Sequence, residues 1–198
     1  GSQSVGMMAA YGESAVIRQA FAEASEALGE DLWQMVADGP AEVLAQTVNT
    51  QPLMLTAGVA IYREWIARGG ALPSLVAGHS LGEYSALVVA GALDFQEAVK
   101  LVRLRAQAMQ EAVPQGEGAM AALLGLDEAA AVDACAEAAQ GEVVSAANLN
   151  SPGQIVIAGD RACLDEALVA LKRDGYTLVP TAMYWSNRPF PSMPTPTT

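Results

Sequence analysis

Leu72-Pro73-Ser74-Leu75-Val76-Ala77 runs into Gly78-His79-Ser80-Leu81-Gly82, and Glu83 to Ala90 follows with helical spacing. An apolar run, a Gly-x-Ser-x-Gly turn and a helix in that order are the layout of a serine nucleophile elbow. Such a turn exposes the serine Oγ at the strand's C-terminal edge and leaves the N–H of the next residue, here Leu81, free to stabilise an oxyanion. Five residues recur by chance. The strand predicted before them and the helix predicted after them carry the reading.

Working outward, the 198 residues suffice for one substantial core, or a core with a small subdomain. Hydrophobic residues make up 52 % and charged residues 16 %, a composition of buried helix and strand rather than of a disordered chain. The most apolar stretch, Pro52 to Ile61, is cut by Arg63 and Glu64 well short of the ~20 residues that span a bilayer. No basic segment followed by an apolar one opens the chain, so a cytoplasmic protein without membrane attachment is expected. A net charge of −12 disfavours broad attraction to nucleic acid or an anionic membrane, and any anionic ligand must be held locally. Cys135 and Cys163 fall in helix-patterned segments and read as buried thiols. With one histidine and no clustered cysteine, no metal site is expected.

Glu13 to Leu28 reads as an amphipathic helix closed by Gly29, Leu32 to Ala37 as a shorter one, and Pro52 to Arg68 as a longer one stopped by Gly69-Gly70. Beyond the elbow helix, Asp94 caps a helix from Phe95 to about Ala112, which ends before Pro114. The rhythm then changes. Ala119 to Leu124 reads as a strand, Asp127 to Ala139 as a helix, Val143 to Ala147 and Gln154 to Ala158 as strands joined by a loop from Asn148 to Gly153, and Arg161 to Arg173 as a helix. With Tyr176 to Pro180 as a last strand, the order β-α-β-β-α-β is that of a ferredoxin-like unit. The expected division is 1–114, 115–180, and a proline-rich tail 181–198 without periodicity, read as disordered and foreign to the rest.

A serine hydroxyl needs a base before it attacks at neutral pH. The only histidine, His79, directly precedes Ser80, so its imidazole leaves the turn in another direction; a packing or hydrogen-bonding role beside the elbow suits it better than that of base. Arg105 has Leu101, Val102, Ala108 and Met109 at helical spacing, which sets its guanidinium on an apolar stripe where it needs an anion. That anion is either a substrate carboxylate, held by two parallel hydrogen bonds, or an internal acid such as Glu83 or Glu97. Glu83 either orients a base or simply favours the start of its helix. Asn150, in the turn-rich stretch to Gly153, belongs either to a polar hairpin connection or to a loop lining a substrate cleft. Met7, Met8, Met54, Met109 and Met120 read as core filler.

Taken together, Gly1 to Met7, Asn49-Thr50-Gln51-Pro52, Gly78 to Tyr84, Arg103-Leu104-Arg105, Met109-Gln110 and Asn150 to Gln154 resemble the acyltransferase family of fatty acid and polyketide synthesis, whose members transfer malonyl groups to acyl carrier protein. The resemblance runs to about Gly175. It implies a partial α/β-hydrolase-like core with a parallel sheet and an inserted ferredoxin-like α+β subdomain. It also implies a two-step reaction: serine takes malonyl from malonyl-CoA and passes it to the phosphopantetheine thiol of acyl carrier protein, both being substrates, with no cofactor. By motif position Ser80 is the nucleophile, Leu81 N–H an oxyanion donor and Arg105 the holder of the malonyl carboxylate, with His79 and Asn150 as further substrate-side residues. Leu81 after the serine is similar to malonyl-selective members; methylmalonyl-selective domains commonly carry Gln there.

The family pattern also expects a strand and an oxyanion glutamine ahead of Gly1, and a catalytic histidine where this chain reads Thr181-Ala182-Met183-Tyr184-Trp185-Ser186-Asn187. On that reading the sequence is a truncated member with a fused or frame-shifted tail, of doubtful activity. A serine hydrolase or thioesterase, and a non-catalytic fragment binding carrier protein or CoA, are the competing readings. Carrier docking would draw on a basic patch, for which Arg63, Arg68, Lys172 and Arg173 are candidates.

Overall fold

The computed structural model of the protein describes residues 3–114 and 117–176, and the backbone of 181–183. The chain divides after Glu111 into two compact units. The first is helical among its described residues: α1 (Ala15–Leu28), α2 (Leu32–Asp38), α3 (Ala41–Ala45), α4 (Thr47–Ala67), α5 (Leu81–Val89) and α6 (Phe95–Glu111). Capping residues set several of the starts. Ser14 Oγ accepts from Ile17 N–H, Asp31 from Gln34 N–H and Asp94 from Glu97 N–H, each satisfying a donor that the first turn leaves open. Ile17, Phe21 and Ala24 of α1, Leu53, Leu55 and Val59 of α4, and Val99 and Val102 of α6 meet in one buried core.

Helix α4 begins five residues before Pro52, where the sequence pattern placed its start. The polar residues ahead of Pro52 explain the extension: Asn49 Nδ2 donates to Val43 O, and Thr50 Oγ1 to Leu44 O, so α4 is braced on the carbonyls of α3. Pro52 sits inside the helix and forgoes one backbone bond.

The expected strand Leu72–Gly78 is not one. The segment has no strand assignment, and Leu72 and Leu75 are 76 % and 90 % exposed. A strand is held by pairing, and the described part of this unit offers no strand to pair with; Pro73 removes one ladder donor besides. The parallel sheet expected around the elbow is therefore absent from the described residues.

The second unit carries β1 (Gly118–Leu124), α7 (Glu128–Ala139), β2 (Val144–Ser151), β3 (Gln154–Asp160), α8 (Arg161–Arg173) and β4 (Thr181–Met183). Its four strands pair antiparallel in the spatial order β2-β3-β1-β4. Alternate residues of β1, Ala119, Ala121 and Leu123, are buried, and with Ile155, Ile157, Ala131, Cys135 and Leu164 they form a second core. Both cysteines are buried there, unpaired with each other, and burial raises their thiol pKa values.

Two expectations for this unit change. The last strand is Thr181–Met183, matched to Met120–Ala122 of β1, so the expected disordered tail supplies a strand at its first residues; Tyr184 to Thr198 lie outside the described residues, as does most of Tyr176 to Pro180. The expected loop Asn148–Gly153 is mostly strand. β2 runs to Ser151, which pairs with Gln154 across the two-residue turn Pro152-Gly153, where Gly153 has φ of 75°. Proline fixes the first turn position and glycine takes the positive φ of the second, so two residues suffice.

Candidate active site

The elbow forms within the first unit. α4 ends at Ala67, and Trp65 Nε1 donates to Ala71 O, tying the outgoing segment back to the helix. A Cβ at Gly70 would lie 2.2 Å from the Trp65 ring, so the chain passes flat against the indole. At Gly78 a Cβ would lie 2.0 Å from the carbonyl carbon and oxygen of Gly82, which only glycine allows. Gly82 N–H donates to His79 O at 2.9 Å and Glu83 N–H to Ser80 O at 3.2 Å, closing the turn into α5. Ser80 is left at φ 54°, ψ −115°, a conformation rare for a residue with a side chain. Gly82 faces open space in this structure.

That strain presents the chemistry. Leu81 N–H is the first of α5, and no described acceptor takes it, so it stands free at the positive end of the helix dipole beside Ser80. Ser80 Oγ is exposed and accepts from Arg105 Nη2 at 2.9 Å. Arg105 Nη1 donates to Gln51 Oε1 at 2.5 Å, and its guanidinium carbon lies 5.7 Å from the Tyr84 ring centre. Gln51, only 6 % exposed, donates through Nε2 to Thr47 Oγ1 at 3.1 Å and to Met109 Sδ at 3.5 Å.

The two readings left open for Arg105 now separate. It makes no ion pair with Glu83, Glu97 or any other described acid; its partners are a neutral amide and a hydroxyl. Its surroundings are also less apolar than the spacing indicated, since Leu101 and Ala108 are exposed and the buried neighbours on α6 are Val102 and Ala106. Arg103, two residues away, is fully neutralised by a two-pronged pair to Glu30 at 2.7 and 2.6 Å. Of the two arginines, Arg105 is thus the one with positive charge to spare for a carboxylate.

His79 is exposed and its ring holds no described partner; only its backbone carbonyl takes part in the turn. No described base reaches Ser80 Oγ. Glu83 is exposed at the first turn of α5 without a side-chain partner, where the helix dipole accounts for it. Asn150 belongs to the second unit, exposed at a register shift between Leu149 and Ser151 of β2. Among the basic-patch candidates, Arg63 is paired with Glu23, Arg68 with Glu64, and Arg173 with Glu137 and Asp174; Lys172 alone keeps a charge without an ion pair among the described residues. In the sequence Gln51 stands within the motif Asn49-Thr50-Gln51-Pro52 without a role of its own, and Thr47 stands outside every motif. Their signal was a polar pair four residues apart at the edge of the apolar run from Pro52.

No described cluster of His, Cys, Asp and Glu is placed to hold a metal ion, and no described helix is long and apolar enough to cross a membrane. Comparison with known proteins gives the chain its relatives. The chain is 56 % identical over 176 residues to the malonyl CoA-acyl carrier protein transacylase of Escherichia coli K12, a match covering 88 % of this chain and 57 % of that protein. The solved acyl carrier protein S-malonyltransferase of Vibrio cholerae superposes with a TM-score of 0.86 at 56 % identity, over 91 % of this chain and 60 % of that one. A malonyl-transacylase solved in complex with its type II PKS acyl-carrier protein superposes equally well, at 0.86 and 53 % identity, over 91 % of this chain and 59 % of that one. The chain thus spans somewhat over half the length of these relatives. Because residues 1–186 match the acyl transferase domain, taking in the elbow helices and the antiparallel sheet alike, this chain belongs to that family.

Proposed function

We propose that the site carries the nucleophile's half of malonyl transfer from malonyl-CoA to acyl carrier protein. Ser80 Oγ attacks the thioester carbonyl; the C–S bond breaks, CoA leaves as the thiol once it gains the serine's proton, and malonyl remains as a serine ester. The phosphopantetheine thiol of the carrier then attacks that ester and releases Ser80. Leu81 N–H donates to the oxyanion in both steps, and Arg105 holds the free malonyl carboxylate. His79 and Asn150 are read as substrate-side residues, and the reaction uses neither cofactor nor metal. The observation that carries the reading is the un-neutralised Arg105 guanidinium, 2.9 Å from Ser80 Oγ. A hydrolase of neutral esters has no use for a cation there. Carrier protein as partner is supported by the solved relative bound to its own acyl-carrier protein.

For architecture, we read the first unit as part of an α/β-hydrolase-like core, in which Leu72–Gly78 holds the strand position before the elbow, and the second as a ferredoxin-like subdomain. The exposed apolar side chains of 72–76 and the order β-α-β-β-α-β support that reading.

The chain's own turnover is expected to be slow. No described base reaches Ser80 Oγ, the one histidine, His79, is exposed without a described partner for its ring, and loss of the base from a serine triad costs on the order of 10⁶ in rate. Calorimetric titration of the whole chain is expected to give tighter binding of malonyl-CoA than of acetyl-CoA, by about tenfold or more, with the preference lost in Arg105→Ala. Mass spectrometry is expected to find trace acylation at Ser80. Equal affinities would overturn the carboxylate assignment, free malonate as main product would favour a hydrolase, and rapid Ser80-dependent acylation would overturn the slow turnover.

A further inference from the structure

Arg105 touches the reacting serine, but what aims Arg105 lies one and two residues further back. Its Nη1 is taken by Gln51 Oε1, and that amide is buried, with both acceptors of its Nε2 on the opposite side: the Thr47 hydroxyl at 3.1 Å and the Met109 sulfur at 3.5 Å. An amide has one oxygen end and one nitrogen end. Turned over, Gln51 would set N–H donors against the guanidinium and break the hydrogen bond that links α4 to Arg105. Thr47 and Gln51 are one turn apart on α4, so the hydroxyl reaches the amide nitrogen along the helix face. Thr47 has no capping duty to explain it: the N-cap is Gln46, and it makes no side-chain cap bond.

We infer that Thr47 is a positioning residue for carboxylate selectivity: through its hydrogen bond to Gln51 Nε2 it keeps the amide oxygen on Arg105, and so keeps the guanidinium aimed at the acyl group on Ser80. The inference rests on the proposed malonyl site and adds what sets its selectivity. The neutrality of the relay matters. An amide oxygen orients the guanidinium without discharging it, whereas a carboxylate at position 51 would take the place of the substrate's own. Losing the Thr47 hydroxyl loosens the amide without removing any charge, so its effect falls on the discrimination between acyl groups and not on the affinity for CoA.

The test uses the whole chain, with malonyl-CoA and acetyl-CoA titrated against the unchanged protein, Thr47→Val and Thr47→Ser. Valine keeps the shape and drops the hydroxyl; serine keeps the hydroxyl. The malonyl-over-acetyl preference is expected to fall about three- to tenfold in Thr47→Val, the size of one lost hydrogen bond, with acetyl-CoA affinity unchanged and the preference restored in Thr47→Ser. Full preference in Thr47→Val, or equal loss in both variants, overturns the role of the hydroxyl while leaving the malonyl site standing. No preference in the unchanged chain overturns the malonyl site, and this inference with it.

Discussion

Two apolar runs of similar length meet opposite fates in this molecule. Gly118–Leu124 is a strand with its alternate residues buried and a partner on each side, while Leu72–Ala77 is irregular, exposed and without a described strand partner. Pro73 separates them in part; neighbours do the rest. β1 pairs with β3 along its whole length and with β4 at Met120–Ala122, so its backbone groups find partners and its inward residues have something to pack on. The run at 72–77 has no described strand beside it, yet the elbow it leads into is fully turned, because Gly78 against Gly82 and the first bonds of α5 close that turn locally. The lesson is that among the described residues a turn and a helix suffice to close the elbow around Ser80, while a strand needs another strand.

The comparison can be broken at its sharpest point first. Ile157, wholly buried in β3, is expected to cost about 2–5 kcal/mol when changed to alanine, whereas Leu75→Ala, at 90 % exposure, is expected to stay within about 0.5 kcal/mol. Denaturant unfolding of the two variants checks this, and a large loss at Leu75 would show that 72–77 is buried after all. Next comes Gly78→Ala, whose Cβ would meet Gly82 backbone at 2.0 Å; overpacking of this kind costs about 1–3 kcal/mol, read from denaturant unfolding, and should abolish the malonyl-over-acetyl preference. Unchanged stability and preference would mean that the elbow owes its shape to something other than this close approach.

The smallest effect concerns how α1 is joined to α4. Ser14 Oγ donates to Glu64 Oε2 at 2.6 Å and Arg68 Nε to Oε1 at 2.7 Å, and these bonds, Ser14 first, hold the Glu64 carboxyl below its ordinary 4.5. A carboxyl with a depressed folded pKa adds stability above its unfolded pKa and loses it as pH falls through the folded one. Ser14→Ala is therefore expected to be less stable than the unchanged chain at neutral pH and to approach it in acid below pH 4.5, read from thermal unfolding across that range. A difference that does not change with pH would assign the effect to the helix cap alone.

Much of this was legible in the residues. The helices carry their own punctuation in Ser14, Asp31, Asp94 and Asp127, each of which accepts the capping bond that its type predicts. Ser80 and Arg105 were singled out from spacing, and the structure sets them in hydrogen-bond contact. What escaped did so for reasons of range. Whether Leu72–Ala77 is a strand depends on partners remote in sequence, and Thr181–Met183 is a strand because of β1, not because of its own pattern. Gln51 stands in a quoted motif, but its role escapes because it lies in one bond to a residue 54 positions away, which no local period records. Asn, Ser, Pro and Gly are turn formers and make 148–153 read as a hairpin connection or a cleft loop, but the hairpin turns at Pro152 and Gly153 alone, and Asn150 lies in β2.

The central claim is that the elbow is a local construction, closed by its own turn and the first bonds of α5 with no described strand paired in front of it, and with Leu81 N–H left without a described acceptor. Residue-resolved hydrogen exchange of the whole chain tests it most directly. The account predicts that the amides of Gly82, Glu83 and Ile157 are protected, while those of Leu75, Val76 and Leu81 exchange as open amides. Protection of Leu75 and Val76 at the level of Ile157, or a protected Leu81 N–H, would contradict it.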